Sequence, residues 1–168
     1  MKHGAPQSVL NNPFWQFSLD KYARDGVAPI CLELQEKHQI DVNILLFAVW
    51  LGHTGRAVPD AAAAELIHSR VATWRTNIVR PLRRFRIDYR PSLSLVPVKQ
   101  DPVRAAIKDL ELHAEQIEQA LLFELSQTMG LQNVEPGSDT MHRNVLVLLP
   151  ELIGSMGALG DLISGRSV

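Results

Sequence analysis

Two long stretches of this chain place apolar side chains at mixed spacings of four and three. In residues 67–85 they are Ile67, Val71, Trp74, Ile78, Leu82 and Phe85. In residues 103–125 they are Val103, Ile107, Leu110, Ala114, Ile117, Leu121 and Leu125. That period follows the turn of an α-helix, not the two-residue alternation of a strand, so each stretch must bury one side of a helix. A chain organised this way packs helices on helices.

The punctuation between stripes supports the same architecture. Asn12-Pro13 reads as an N-cap followed by proline at the first helical position, where a missing N–H costs nothing. A first helix over Phe14 to Asp25 then ends at Gly26. Pro29 opens a second, through about His38, and Asp41 caps a third from Val42 to about His53. Ile44 to Leu51 is apolar all round, which predicts the most buried helix. A fourth helix starts near Pro59-Asp60 and runs to Arg86 or Tyr89, with Pro81 inside it predicting a kink. Pro91 and Pro97 make residues 90–100 an extended connector. Asp101-Pro102 opens a fifth helix reaching about Met129. A sixth covers Thr140 to Ile163, where Gly154, Gly157 and Gly160 imply either close helix approach or fraying. No segment reads convincingly as a strand. The expectation is therefore an all-α, single-domain, bundle-like fold of about six helices with a kinked fourth. Residues 1–11 read as a flexible N-terminus and 164–168 as a frayed C-terminus.

Composition narrows the function classes. Of 168 residues, 46% are hydrophobic and 21% charged, the balance of a folded domain rather than a disordered chain. A net charge of −1 gives no global attraction to nucleic acid or membrane. The single cysteine, Cys31, rules out an internal disulfide. Met1 to Leu10 lacks the apolar run of a signal peptide, and Ile44 to Leu51 is too short to span a bilayer. The expected location is the cytoplasm.

The N-terminal third carries Phe14-Trp15, Phe17-Ser18-Leu19, Tyr22, Gly26-Val27, Cys31-Leu32 and Leu34-Gln35. Asp41-Val42-Asn43, Leu45-Leu46-Phe47 and Trp50 follow. This run, with Trp74 and Val79-Arg80-Pro81-Leu82-Arg83 further on, resembles a small proteobacterial family known as domain of unknown function 2390. The glycine that often precedes the family's Asp-Val-Asn run is replaced here by Gln39-Ile40. The resemblance implies a cytoplasmic helical protein and carries no activity.

Several constellations invite chemical readings. Glu65 and His68 have the spacing used in di-iron bundles, but no second copy exists and both lie off the Ile67–Val71–Trp74 stripe. Asp41 and Asn43 open an apolar helix, where capping accounts for them. Cys31 reads as a small apolar residue. Trp15, Tyr22, Trp50 and His53 could line a pocket, although helical spacing equally places the aromatics in the core. No catalytic constellation, metal cluster or phosphate loop stands out, and no cofactor is expected.

Charge distribution is the strongest signal. Residues 61–100 hold eight basic side chains against Glu65 and Asp88, a net +6. Residues 101–135 hold seven acids against Arg104 and Lys108, a net −5. Arg75, Arg80, Arg83, Arg84 and Arg86 are candidates for binding a partner or anion, because the guanidinium fork suits carboxylate and phosphate. On a regular helix they spread opposite the apolar stripe. They could solvate the helix, pair with the acidic fifth helix, or bind RNA or another polyanion; the last lacks exposed aromatics interleaved among the arginines. Leu112 and Phe123 fall on the polar side of the fifth helix and are interface candidates, for a protein partner or self-association. The leading expectation is an interaction or adaptor module presenting the arginine face. RNA or ribosome binding through that face, and a small-ligand or enzyme pocket near the first and third helices, stand as alternatives.

Overall fold

A computed structural model describes residues 9–89 and 101–164 of the chain. Eight α-helices lie within it: α1 (Pro13–Tyr22), α2 (Val27–His38), α3 (Val42–His53), α4 (Ala61–Trp74), α5 (Arg80–Asp88), α6 (Pro102–Thr128), α7 (Ser138–Leu148) and α8 (Met156–Ser164). The fold is all-α, with eight helices rather than six. The connector expected over 90–100 lies outside the described residues, as do residues 1–8 and 165–168.

Capping residues start the helices where the sequence places them. Asn12 accepts from the Trp15 N–H at 2.9 Å, Asp41 from Asn43 at 2.9 Å and Asp60 from Ala63 at 2.9 Å. Asp101 accepts from both Val103 and Arg104. Each satisfies N–H groups that a helix start leaves unpaired. The second helix begins at Val27, two residues before Pro29, because Gly26 supplies a left-handed turn at φ 82°.

Every residue of α3 from Val42 to Gly52 is buried. Phe14, Phe47 and Trp50 pack at ring separations of 5.2–5.9 Å, and Phe123 from α6 closes on Trp50 at 5.7 Å. Burying a side chain of this size contributes roughly 1.5–3 kcal/mol. On its other side α3 meets α7 so closely that a Cβ on Gly52 would fall 2.5 Å from the Met141 amide nitrogen. Asn144, wholly buried, donates to the Arg56 carbonyl and accepts from the Val58 N–H. It thereby joins α7 to the short strand β1 (Arg56–Ala57), which pairs antiparallel with β2 (Gln132–Asn133). This small ribbon is not expected from the sequence.

The fourth and sixth predicted helices do not run through. Between α4 and α5, residues Arg75–Val79 form a π-helical turn in which the Arg80 N–H reaches the Arg75 carbonyl five residues back. Pro81 explains the break: it has no N–H, and its ring opposes the carbonyl four residues earlier. At the other end, Pro150–Ser155 form a 3-10 turn separating α7 from α8. Open space surrounds the would-be Cβ positions of Gly154, Gly157 and Gly160, so helices do not approach there; the close-approach glycine is Gly52.

The π turn also re-phases the apolar stripe. An extra residue in one turn rotates everything after it by about 100°. Ile67 and Val71 are buried as the period predicts, but Val79 follows them inward, then half-buried Arg83 and Arg86, while Phe85 is 55% exposed. Trp74 is half-buried and donates its indole N–H to the Ala114 carbonyl at 2.9 Å. α6 is shifted by one position as well. Ile107, Glu111, Ala114, Glu118 and Leu122 point inward, whereas Val103 and Leu110 are exposed. Glutamates therefore face arginines where the stripe predicts leucine facing phenylalanine.

Candidate functional site

The seam between α5, α6 and the start of α3 is ionic. Arg83 lies 3.2 Å from Glu111 and 2.6 Å from Glu115. Arg86 bonds the second oxygen of Glu111. Deeper in, Arg75 Nε stands 3.0 Å from Asp41 Oδ2 and 3.6 Å from Glu118 Oε1. Asn43 donates to Glu118 at 3.1 Å and accepts from Gln119 at 2.9 Å. Asp41 thus serves twice, capping α3 with one oxygen and facing Arg75 with the other.

Burial sets the protonation of this cluster. Glu118 is fully enclosed, and desolvation together with the neighbouring Asp41 charge pushes its carboxyl up to about 9. Glu118 therefore keeps its proton at neutral pH. Burial also raises Glu115, against the pull of Arg83. For Arg83, burial opposes the charge, but Glu115 and Glu111 outweigh it and hold the guanidinium above its ordinary value. The Arg75–Asp41 approach is charge to charge and not an aimed hydrogen bond. Arg75 Nε, Asp41 Oδ2 and Glu118 Oε1 are all buried without a directed partner among the described residues.

Two cavities flank the seam. A groove of about 510 Å³ has walls from Trp15, Leu19, Tyr22, Leu32, Val42, Leu46 and Leu112, with Ser18, Asn43, Gln119, Arg83, Arg86, Glu111 and Glu115 supplying polar groups. Leu19, Tyr22, Leu32 and Leu112, all exposed, gather at this one place. Ser18 Oγ and Gln119 Oε1, both on buried residues, have no hydrogen-bond partner among the described residues. On the other side lies a cleft of about 450 Å³, lined by Gln35, Gln39, Ile40, Asp41, Val79 and the arginines 75, 80, 83 and 84. Gln35 and Arg83 belong to both walls.

The sequence-predicted residues divide among these features. Trp15 and Tyr22 line the groove, and desolvation raises the Tyr22 phenol to about 12. Trp50 instead sits in the core beneath the Arg56 guanidinium at 4.4 Å, and exposed His53 stacks on Phe17. Arg75, Arg83 and Arg86 face α6, not the outer surface that a regular helix would give them. Arg80 and Arg84 remain exposed. Leu112 is exposed at the groove, but Phe123 packs on Trp50 rather than pointing into water. Cys31 is fully buried, and desolvation lifts its thiol to about 12, away from any nucleophilic role. His68 bonds the Leu148 carbonyl at the end of α7, with Glu65 exposed beside it. Among the described residues no three His, Cys, Asp or Glu side chains gather as metal ligands.

Sequence reasoning missed Ser18 and Gln119 as site residues, and placed Glu111, Glu115 and Glu118 only within the acidic segment with which the arginines could pair. A signal for three of them was present, since Glu111, Glu115 and Glu118 repeat at four and three, the helical period of an inward face. That period was credited only to apolar residues.

The fold and site define a helical protein organised around a buried ionic seam with an open cavity on each side. No helix among the described residues is long and apolar enough to cross a membrane. The chain belongs to the family described as protein of unknown function (DUF2390), whose model matches residues 13–122. Both cavities' linings and the whole seam fall within the matched span. No curated protein and no solved structure matches the chain.

Proposed function

We propose that this protein binds a small amphipathic molecule in the groove bounded by Trp15, Tyr22, Leu46 and Leu112. The observation that carries this reading is the gathering of four exposed apolar side chains, Leu19, Tyr22, Leu32 and Leu112, around one cavity whose lining also holds Arg83, Arg86 and Lys108. A ligand that covers these side chains removes apolar surface from water, and a polar or anionic end can face the cations. The groove's volume lies within the range of small-molecule sites.

The adaptor reading keeps less support on its original surface. Three of its five arginines spend their charge on α6, and the same holds for RNA binding through that face. The exposure of Leu19, Leu32 and Leu112 favours a second reading, in which the groove seats the apolar side of a partner's helix.

The test uses 8-anilinonaphthalene-1-sulfonate, an amphipathic dye, titrated into the folded protein. Saturable one-to-one binding is expected, weakened about tenfold or more by Leu19→Trp and Leu112→Trp, which fill the groove from exposed positions. Binding that does not saturate, or that both variants leave intact, overturns the proposal. Native mass spectrometry of protein from its own host separates the readings: a retained small mass supports the first, a co-purifying chain the second.

A further inference from the structure

The cleft on the opposite side of the seam carries a second inference, independent of the groove. We propose that it is an anion site, taking a small phosphorylated molecule whose phosphate is held by Arg80 and Arg84.

Charge is the first support. Four arginines line the cleft against two acids, Glu36 and Asp41. Two of the four have buried obligations: Arg75 faces Asp41 and Glu118, and Arg83 faces Glu111 and Glu115. The other two do not. Arg80 has no acidic partner within 4 Å among the described residues. Among the described residues Arg84 bonds only Asp88, and both side chains of that pair are more than half exposed, so the bond is weak and exchangeable.

Backbone geometry is the second support. The π turn at Arg75–Val79 brings Arg75, Val79, Arg80, Arg83 and Arg84 to one wall, a placement that an unbroken helix would not give alongside an inward Val79. Single π turns recur at functional sites, where they aim side chains that a regular helix would misdirect. The third support is the spacing of two of these cations: Arg80 and Arg84 stand four residues apart on α5, both exposed, and guanidinium forks bind phosphate oxygens in pairs.

Inorganic phosphate is the probe, followed through the arginine side-chain N–H resonances of the isotopically labelled full-length chain at constant ionic strength. Saturable shifts are expected at the Arg80 and Arg84 resonances. In the Arg80→Gln/Arg84→Gln variant the phosphate affinity should fall about tenfold or more, with the melting temperature held near that of the parent. Both residues are exposed, so folding is not at stake. An equal response to chloride, or phosphate binding unchanged in the double variant, overturns the proposal. Loss of dye binding in the groove has no bearing on either outcome.

Discussion

The α3–α7 contact is buried and largely apolar, whereas the α5–α6 contact is half-buried on the α5 side and ionic. Against α7, α3 sets Gly52 under the Met141 backbone, and the one buried polar side chain there, Asn144, has every group engaged. Between α5 and α6 the inward positions are arginine and glutamate, with cavities beside them and, deeper in by Arg75, carboxyl oxygens of Asp41 and Glu118 left unaimed. A dry, close-packed contact is the cheaper way to hold two helices together, since buried ion pairs seldom beat well-packed apolar residues. An interface that accepts that penalty marks where a molecule's function is to be sought. In this chain one contact stabilises the fold and the other shapes the cavities.

Removing one half of the ionic seam is the largest expected effect. Arg83→Met should destabilise the protein by roughly 2–4 kcal/mol, because it strands Glu111 and Glu115 in a half-buried setting. Chemical denaturation measures it, and a loss below about 0.5 kcal/mol would mean that the seam is solvated in solution. Combining it with Glu115→Gln should recover part of the loss, as expected for groups that interact.

Next comes the dry contact. Gly52→Ala should cost about 1–3 kcal/mol, since the added methyl meets backbone that cannot swing away. A neutral result would show that α3 and α7 are less tightly joined than their geometry says.

Glu118 gives a pH signature that the dry contact lacks. Its folded carboxyl sits at about 9, well above its unfolded value, so the folded state keeps a proton that the unfolded state has released. Stability is then full below the unfolded value and is lost as pH rises toward 9, on the order of 1 kcal/mol per unit. Glu118→Gln, which mimics the protonated acid, should flatten that decline in thermal melts between pH 5 and 9. A parallel decline in the variant would assign the dependence to other groups.

The smallest effect belongs to the exposed pair of Arg70 and Glu124, 2.8 Å apart. Arg70→Ala should change stability by less than about 1 kcal/mol and lose even that in high salt. A larger, salt-resistant loss would erase the distinction between the buried seam and surface ion pairs.

Most of the helices were legible in the sequence because their causes are local. Asn12, Asp41, Asp60 and Asp101 cap helices through bonds to residues two or three positions on, and the apolar run of Ile44 to Leu51 has no solvent face to offer. The family was legible too, from the aromatic and Asp-Val-Asn pattern. The candidate site was only half legible. Trp15, Tyr22 and the arginines stand out in the sequence, and pairing with the acidic helix is one of the readings open to those arginines, but which acids orient them is not legible there. Trp50 and His53 lie on one helix three residues apart, and nothing local distinguishes a core indole from an exposed imidazole.

What the sequence by itself determined is the helical class, the principal caps and the existence of two oppositely charged segments. What only tertiary structure decided is which way those segments face. Helical period reports relative phase within an unbroken helix, so a single extra residue at Arg75–Val79 was enough to turn Phe85 outward and Arg83 and Arg86 toward α6. Once arginines faced inward, α6 had to present Glu111, Glu115 and Glu118, because a buried charge is tolerated only beside its opposite. The charges were written in the chain, but their partners were chosen by the turn.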